Sequence, residues 1–290
     1  MVAPRLPFTP QLEQQLEAWL MEDLGRGDLT AAALTGRHGR AYWLAKAEGI
    51  FCGGVLVEPL FRRLDSSVAV RLLVDDGEPL QPGQRLLELE GPAPALLAGE
   101  RTALNLAMRL SGIASATARL VAELADSGVQ LVDTRKTTPG LRVLEKYAVR
   151  CGGGGNHRFG LDDAAMLKEN HLAWCGGLQQ AVAEVKAAAA WPLRVIVEAE
   201  TDGQAEAAVQ AGADAVLLDE FSPRQLEVLV PRLRLLATER GTPVVLEASG
   251  IQPGELASYG ATGIDLISTS APITRSAWLD LSMRFQPAWV

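Results

Sequence analysis

Positive charge is concentrated in one stretch of this chain. Between Arg135 and Lys168 there are seven Lys and Arg residues and three acids, so the stretch carries +4 in a protein of net charge −8. Arginine can hold a carboxylate through two parallel hydrogen bonds, and lysine supplies a mobile point charge suited to phosphate. Cations concentrated against the global charge therefore favour a small polyanionic ligand over nucleic acid. The candidate cations for such a site are Arg135, Lys136, Arg158 and Lys168.

Two carboxylates, Glu198 and Asp219, follow hydrophobic runs further along the chain. They could pair with the cations, or they could hold Mg²⁺, which takes few protein carboxylates and completes its shell with ligand oxygens. Glu200 lies on the same strand face as Glu198 and is the alternative to it. A nucleophilic triad is not indicated, because the sequence offers no Ser/His/Asp or Cys/His combination of comparable quality.

The elements that must position these residues alternate from about Val129 onward. Short hydrophobic runs are followed by helical stretches, which predicts βα units and a parallel sheet. The six predicted strands are Val129–Asp133, Ala164–Lys168, Arg194–Ala199, Ala215–Asp219, Pro243–Ala248 and Asp265–Ser268. Most of the candidate residues lie at or just past the C-terminal ends of these strands, where an α/β barrel places its active site. A solvated charged face, the usual alternative for a run of Lys and Arg, is disfavoured for the same reason.

The first part of the chain has a different pattern of apolar residues and turns. Gln11–Met21 predicts an amphipathic helix, and short apolar runs broken by glycine turns between Ala41 and Glu90 predict strands. Leu96–Leu110 predicts a further helix, which carries Arg101. These elements predict a small α+β layer domain that precedes the α/β region.

Length and composition exclude several classes of protein. The 290 residues, 48% hydrophobic and 21% charged, are ordinary for a soluble globular protein with one or two cores. The acidic balance argues against a nucleic-acid surface, and no apolar run reaches the roughly 18 residues that span a bilayer. Met1–Pro10 lacks the apolar core of a signal peptide, and the odd number of cysteines (Cys52, Cys151 and Cys175) predicts reduced thiols. We therefore expect a cytoplasmic protein that binds neither nucleic acid nor membrane.

Several motifs, in one order, resemble those of a known enzyme family. They are Glu22–Gly25 with Gly27–Thr30, Glu100–Asn105, Ser111–Ala114, Asp133–Gly140, Asn156–Arg158, Glu198, Leu218–Asp219 and Glu247–Gly250. On these motifs, which cover nearly the whole chain, the sequence resembles the carboxylating nicotinate-nucleotide pyrophosphorylases, also called quinolinate phosphoribosyltransferases.

The resemblance implies both a fold and a reaction. The fold is α/β: an incomplete, about six-stranded α/β barrel over 113–274, and an N-terminal α+β open sandwich domain over 1–112 that includes the C-terminal tail of about 275–290. The reaction transfers phosphoribosyl from 5-phosphoribosyl 1-pyrophosphate to quinolinate with decarboxylation. Its products are nicotinate mononucleotide, pyrophosphate and CO2, in de novo NAD biosynthesis.

The resemblance also implies roles for individual residues. The positions carried over as substrate-binding are Arg101, Thr134, Arg135, Lys136, His157, Arg158, Lys168, Glu198, Asp219, Ser249, Gly250 and Ser270. Catalytic roles fall to Lys136, Lys168, Glu198 and Asp219. Glu198 and Asp219 are expected to engage the ribose hydroxyls and Mg²⁺, the metal being bound mostly through the donor. His157 is expected to line the quinolinate pocket, although a lone histidine is more often structural.

Arg101 matches a family arginine that reaches into the site of the neighbouring subunit. The resemblance therefore implies a homodimer or a larger homo-oligomer with shared sites. The alternative for Arg101 is a surface ion pair with Glu100 or another neighbour.

The loops expected to hold the 5-phosphate depart from the family pattern. Ser249–Gly250 runs directly into Ile251 where a second glycine is usual, and Ser270 stands in place of another glycine. Arg275 replaces a frequent histidine, and Glu220 replaces the usual asparagine after Asp219. Serine hydroxyls and backbone N–H groups can still hold a phosphate in such loops.

Two other functions are compatible with the same motifs. One is that of a paralogue of the same fold associated with molybdate transport operons. Asp133, where that group tends to carry threonine, and the complete Thr134–Gly140 run favour the pyrophosphorylase. The other is a non-catalytic binding protein on this scaffold, which the retention of the full set of charged residues disfavours.

Overall fold

The computed structural model describes residues 4–252 and 254–287. The strands in chain order are β1 (His38–Ala45), β2 (Gly49–Ile50), β3 (Ala69–Leu72), β4 (Pro79–Leu80), β5 (Arg85–Pro92), β6 (Gln130–Val132), β7 (Ala165–Leu167), β8 (Val195–Ala199), β9 (Ala215–Asp219), β10 (Val245–Ser249), β11 (Leu266–Ser268) and β12 (Leu281–Pro287). The helices are α1 (Pro10–Leu24), α2 (Val57–Leu64), α3 (Ala93–Glu123), α4 (Arg142–Cys151), α5 (Glu169–Trp174), α6 (Leu178–Ala188), α7 (Asp202–Gln210), α8 (Pro223–Arg240), α9 (Leu256–Tyr259) and α10 (Ala271–Arg275).

The chain forms two compact units. The first comprises Met1–Ala118, Thr138–Gly153 and Arg275–Val290, and the second comprises Arg119–Thr137 and Gly154–Thr274. The predicted domains are 1–112 with about 275–290, and 113–274. They divide the chain at fewer points than these two units do, and they stay a prediction. Residues 1–3 and 288–290, at the ends of the predicted N-terminal domain, lie outside the described residues.

The first unit contains an antiparallel sheet in the order β12-β1-β5-β3, which confirms the predicted α+β layer. Alternate residues of β1 are buried, among them Trp43 with no exposed surface, as expected for a sheet covered on one face. Helix α1 begins where the Thr9 hydroxyl accepts the N–H of Leu12 at 3.2 Å. It ends at Gly25, whose φ of 52° lies in the left-handed region.

Helix α3 is longer than predicted. The sequence places its end near Leu110, before Ser111 and Gly112, but the helix continues to Glu123. The Ser111 hydroxyl is used inside the helix, because it accepts the N–H of Cys52 at 2.9 Å and donates to the Cys52 carbonyl at 3.1 Å. A Cβ at Gly112 would lie 2.2 Å from the Ala277 carbonyl oxygen, so this glycine permits close packing instead of ending the helix.

The second unit confirms the predicted parallel sheet. Its six strands lie in the order β6-β11-β10-β9-β8-β7, and all neighbours are parallel. Within the described residues the two edge strands, β6 and β7, do not pair with each other, so the barrel is incomplete. One face of the sheet packs against the helices, and the other carries a small apolar cluster of Ile196, Ala215 and Leu217. Along each strand, residues on this second face alternate with residues that face the helices. Glu198 and Asp219 are therefore on the same face as Ile196 and Leu217, inside the barrel.

Helix α8 shows how the sequence fixes the elements around the sheet. The Ser222 hydroxyl and the Gln225 side chain cap each other's backbone at its first turn, and Pro223 stands at its first position. Gly241, with φ of 76°, ends the helix. Across residues 4–252 and 254–287, the helices are too short or too polar to cross a membrane.

Candidate active site

A cavity of about 320 Å³ lies among the C-terminal ends of the β-strands of the second unit. Its lining residues are Thr134, Arg135, Lys136, His157, Arg158, Met166, Lys168, Glu198, Leu217, Asp219, Glu247, Ser249 and Ser268. Nine of the twelve residues proposed to bind substrate are in this set. Arg101, Gly250 and Ser270 are not.

The segment after β6 supplies two of the cations, Arg135 and Lys136. Thr134 organises this segment, since its hydroxyl accepts the N–H of Lys136 at 3.0 Å. The N–H of Thr137 bonds back to the Arg135 carbonyl at 2.9 Å. The short turn leaves the Arg135 and Lys136 side chains largely exposed at the cavity.

A buried aspartate holds the second cationic segment next to the first. Asp133, 2% exposed, accepts the side-chain N–H of Asn156 at 2.7 Å and the backbone N–H of His157 at 2.8 Å. The backbone of Gly155 adds a bond to Leu131 at 2.7 Å. Asp133 thereby joins the end of β6 to residues 155–157, and its role was not assigned from the sequence.

Arg158 completes this group of cations. One guanidinium nitrogen donates to the Ala164 carbonyl at 2.7 Å, which anchors the side chain within the barrel. Burial, followed by the positive charge of Arg135, lowers the pKa of Arg158 from its ordinary value, while Asp163 acts in the opposite direction. Two guanidinium groups that repel each other in a cavity favour the binding of an anionic ligand.

Carboxylates occupy the ends of β8 and β9. Glu198 accepts the Lys168 ammonium at 2.5 Å, and the Glu198 side chain is 16% exposed. The side chain of Asp219 lines the cavity and has no hydrogen-bond or ion-pair partner within the part of the chain that the structure describes. Glu200, the sequence alternative to Glu198, is solvent-exposed and outside the cavity lining. Glu198 and Asp219 are thus the pair of hard oxygen donors that could hold Mg²⁺ here.

The loops proposed to hold phosphate have well-defined local geometry. Ser249 lies beside Asp219 in the sheet register, and Gly250 has φ of 80°. A Cβ on Gly250 would lie 2.9 Å from Cγ of Glu220, which explains why glycine remains at this position. Ser270 directly precedes α10, and its carbonyl accepts the N–H of Thr274 at 2.9 Å. Ser268 rather than Ser270 lines the cavity.

Glu247 begins the Glu247–Gly250 motif, but it is the main lining residue for which the sequence predicted no role. It is 1% exposed, and one of its oxygens lies 3.2 Å from Nε2 of His157. The apolar lining residues Met166 and Leu217 were also missed. The signal available in the sequence is the alternation along β10, which places Val245, Glu247 and Ser249 on one face of the strand.

Arg101 belongs to the first unit. It lies on α3, is exposed, and forms no ion pair within the described residues. The suggested surface pair with Glu100 is therefore not present in this structure.

A separate cluster of possible metal ligands lies in the first unit. Donor atoms of Cys52, Asp76 and Cys151 lie within 4.8 Å of one another. Asp76, however, already accepts the N–H groups of Gly53 and Gly54 at 3.0 and 2.8 Å and the Tyr147 hydroxyl at 2.9 Å. Burial raises the pKa of the Cys52 thiol well above its ordinary value. The raised pKa of the Cys52 thiol and the hydrogen bonds already made by Asp76 favour a structural role for this cluster.

Two successive parts of the chain match the two domain models of one family. Residues 28–111 match the N-terminal domain of quinolinate phosphoribosyl transferase, and residues 113–284 match its C-terminal domain. The chain belongs to the quinolinate phosphoribosyl transferase family. The cavity residues from Thr134 to Ser268 all fall within the part matched to the C-terminal domain of that family.

Individual members of the quinolinate phosphoribosyl transferase family are similar over almost the full chain. A probable carboxylating nicotinate-nucleotide pyrophosphorylase of Bacillus subtilis is 42% identical over 277 residues, which cover 94% of this chain and 93% of the relative. Its Synechocystis counterpart is 41% identical over 276 residues, covering 94% and 92%. The solved structure of the nicotinate-nucleotide pyrophosphorylase from Francisella tularensis superposes with a TM-score of 0.89 at 34% identity, covering 97% and 99%.

Proposed function

We propose that this chain is a carboxylating nicotinate-nucleotide pyrophosphorylase, which transfers phosphoribosyl from 5-phosphoribosyl 1-pyrophosphate to quinolinate. Pyrophosphate and CO2 leave, and nicotinate mononucleotide is formed for NAD biosynthesis. The observation that carries the proposal is one cavity that combines the cations Arg135, Lys136 and Arg158 with the carboxylates Glu198 and Asp219. Such a site suits two polyanionic substrates whose reaction develops positive charge on a sugar.

The cations would bind the dicarboxylate. Quinolinate carries two adjacent carboxylates, and Arg135 and Arg158 are close enough for the charge of one to lower the pKa of the other. A bound carboxylate relieves this repulsion, and guanidinium groups hold it with two parallel hydrogen bonds. Lys136, on the same exposed turn, supplies a further point charge for a carboxylate or a phosphate.

Lys168 and Glu198 would act as a coupled pair. Their contact of 2.5 Å neutralises both groups before substrate arrives. An anionic substrate group can recruit the Lys168 ammonium, and this leaves the Glu198 carboxylate available to the ribose. The pair therefore links binding of the anions to exposure of negative charge where the sugar lies.

The carboxylates would stabilise the reacting ribose. As pyrophosphate leaves, ribose C1 develops oxocarbenium character, and the fixed charges of Glu198 and Asp219 favour that charge distribution. The pyridine nitrogen attacks C1 as pyrophosphate leaves. When CO2 then departs from C2, the positive charge of the pyridinium stabilises the electron pair left at C2, and a proton adds there to give nicotinate mononucleotide. The contribution of the chain is to position two anionic substrates and to exclude water between them.

Mg²⁺ fits this site on the chemistry of its donors. The Asp219 carboxylate has no hydrogen-bond or ion-pair partner within the described residues, and hard carboxylate oxygens are the ligands that Mg²⁺ prefers. Glu198 and Asp219 would hold the ion together with oxygens of the donor. When bound, the ion supplies charge neutralisation for the leaving pyrophosphate.

We also propose that the active form is a homodimer or a larger homo-oligomer in the cytoplasm. The support is Arg101, an exposed arginine without an ion-pair partner in the described residues, which matches the arginine that family members share between subunits. For the location, the support is that Cys52, Cys151 and Cys175 form no disulfide, as is usual in a reducing compartment.

Binding titrations with quinolinate and with nicotinate test the proposed site. Nicotinate has only one carboxylate, so we expect it to bind at least about tenfold more weakly, since a lost charge-assisted contact costs more than 1.4 kcal/mol. Absence of quinolinate binding would favour another substrate, such as that of the molybdate-operon paralogue. Binding of quinolinate without phosphoribosyl transfer would favour a non-catalytic binding protein.

A further inference from the structure

Glu247 is a buried carboxylate in an apolar layer of the barrel. It points to the inner face of β10, and its register neighbours on β9 and β11 are Leu217 and Leu266. The side chain is 1% exposed, and Oε1 has no hydrogen-bond partner within the described residues. Placing an ionisable group in such a layer is costly, so a purely structural residue here would be expected to be apolar.

The partner of Glu247 is the ring of His157. Oε2 of Glu247 lies 3.2 Å from Nε2 of His157, across 90 residues of sequence. On the other side of the ring, Nδ1 accepts the backbone N–H of Arg158 at 2.7 Å. An N–H donor at Nδ1 requires a lone pair there, so the hydrogen-bond pattern assigns the proton to Nε2, which donates to Glu247.

The ring also forms part of a partition inside the barrel. His157, Arg158 and Glu247 line both the cavity of about 320 Å³ and a second space of about 260 Å³. The second space includes Arg194, Ile196 and Val245, which lie toward the N-terminal ends of the strands. A ring held at both nitrogens keeps a fixed wall between the two spaces.

We propose that Glu247 is a positioning residue that acts through His157, by fixing the imidazole as its neutral Nε2–H tautomer in the wall of the substrate cavity. The proposal rests on the proposed function for its effect on quinolinate, but not for the tautomer itself. A neutral imidazole ring in a fixed position can pack against the pyridine ring of quinolinate, while Arg135 and Arg158 supply the positive charge for its carboxylates. Positioning of this kind is sensitive to small displacements, since an error near 1 Å can reduce catalysis strongly.

Two substitutions separate the hydrogen bond from the charge. Glu247→Gln removes the charge and keeps an acceptor for the Nε2–H group of His157. Glu247→Leu has a similar volume and no acceptor. We expect the Leu variant to raise KM for quinolinate by roughly tenfold or more with less effect on KM for the phosphoribosyl donor, and the Gln variant to stay within about threefold of wild type. Glu227→Leu, on the exposed face of α8, is the matched control and should change neither constant.

The tautomer is measured directly in the substrate-free protein. The chain has three histidines, so nuclear magnetic resonance of isotope-labelled histidine can resolve His157 and use His38 and His171 as internal references. At neutral pH we expect the Nε2–H tautomer of His157 in the wild type and in Glu247→Gln. In Glu247→Leu we expect mixed tautomers, with the other two histidines unchanged.

The outcomes distinguish this proposal from the proposed function. An imidazolium or an Nδ1–H tautomer of His157 in the wild type overturns the proposal, whatever the substrate is. Unchanged quinolinate KM in a folded Glu247→Leu variant also overturns it, as does a Gln variant as impaired as the Leu variant. If Glu247→Leu does not fold, the wild-type and Gln spectra decide. If the wild type shows the expected tautomer but does not bind quinolinate, the proposed function fails and the assignment of His157 stands.

Discussion

At the scale of single residues, the partner of each charged group decides what it can contribute. Lys168 and Glu198 neutralise each other, Asp219 is uncommitted in the described structure, and Arg158 is held by a backbone carbonyl beside another arginine. Arg135 lines the same cavity as Arg158 and lowers the pKa of Arg158 through its charge, so its removal should affect a bound anion directly. Its side chain is exposed at the cavity, so truncation should leave the core unchanged.

We predict that Arg135→Ala nearly abolishes quinolinate binding and leaves the fold intact. Removing one partner of a charge-assisted contact in a desolvated site costs about 2–5 kcal/mol. Isothermal titration should show this loss, and circular dichroism should show an unchanged spectrum. Arg224→Ala, on the exposed side of α8, is the control and should bind normally. Near-native affinity in Arg135→Ala would remove Arg135 from the site.

We predict that Glu198→Ala and Asp219→Ala reduce turnover more than quinolinate affinity. Both carboxylates are assigned to the ribose and Mg²⁺, and removal of a group that stabilises transition-state charge typically costs about 100-fold in kcat. Steady-state kinetics at saturating donor, with a parallel quinolinate titration, measures both effects. A variant that lost quinolinate binding but kept donor binding would require the two parts of the site to be reassigned.

At the scale of elements, local sequence patterns predicted the strands, and the parallel sheet then brought their ends together. Four residues could be proposed as neighbours because each lies at or just past the C-terminal end of a strand of the same sheet: Arg135, Lys168, Glu198 and Asp219. The contacts of His157 with Glu247 and with Asp133 could not be predicted from the sequence, because they join residues that are 90 and 24 positions apart on different elements. The length of α3 was missed because Gly112 serves close packing with Ala277, which a single sequence does not reveal.

We predict that Gly250→Ala destabilises the loop after β10. Its φ of 80° is unfavourable for alanine by about 1–2 kcal/mol, and the new Cβ would lie 3.2 Å from the backbone nitrogen of Glu220. Urea unfolding should show a lower midpoint. Gly203→Ala in α7 is the matched control, since no atom lies within 4 Å of its Cβ position and alanine should stabilise a helix by up to about 1 kcal/mol. An equal shift of the urea midpoint in the same direction in both variants would show that the positive φ of Gly250 is not the cause of the destabilisation.

At the scale of the whole molecule, the proposed sharing of Arg101 makes the active site a property of the oligomer. We predict that Arg101→Ala and Lys136→Ala subunits, each inactive alone, regain activity when mixed, because a mixed dimer contains one site with both residues intact. Random exchange makes about half of the dimers mixed, each with one good site of two, so recovery should approach about a quarter of wild-type activity. No recovery after confirmed subunit exchange would mean that Arg101 serves its own chain or has a structural role.

Release of labelled CO2 from the C2 carboxylate of quinolinate measures whether this cavity joins phosphoribosyl transfer to decarboxylation. With 5-phosphoribosyl 1-pyrophosphate and Mg²⁺ present, we predict one CO2 for each nicotinate mononucleotide formed, and no release when the donor is omitted. Quinolinate that binds but releases no CO2 in the presence of donor and Mg²⁺ would contradict it. Release that does not depend on the donor would contradict it as well.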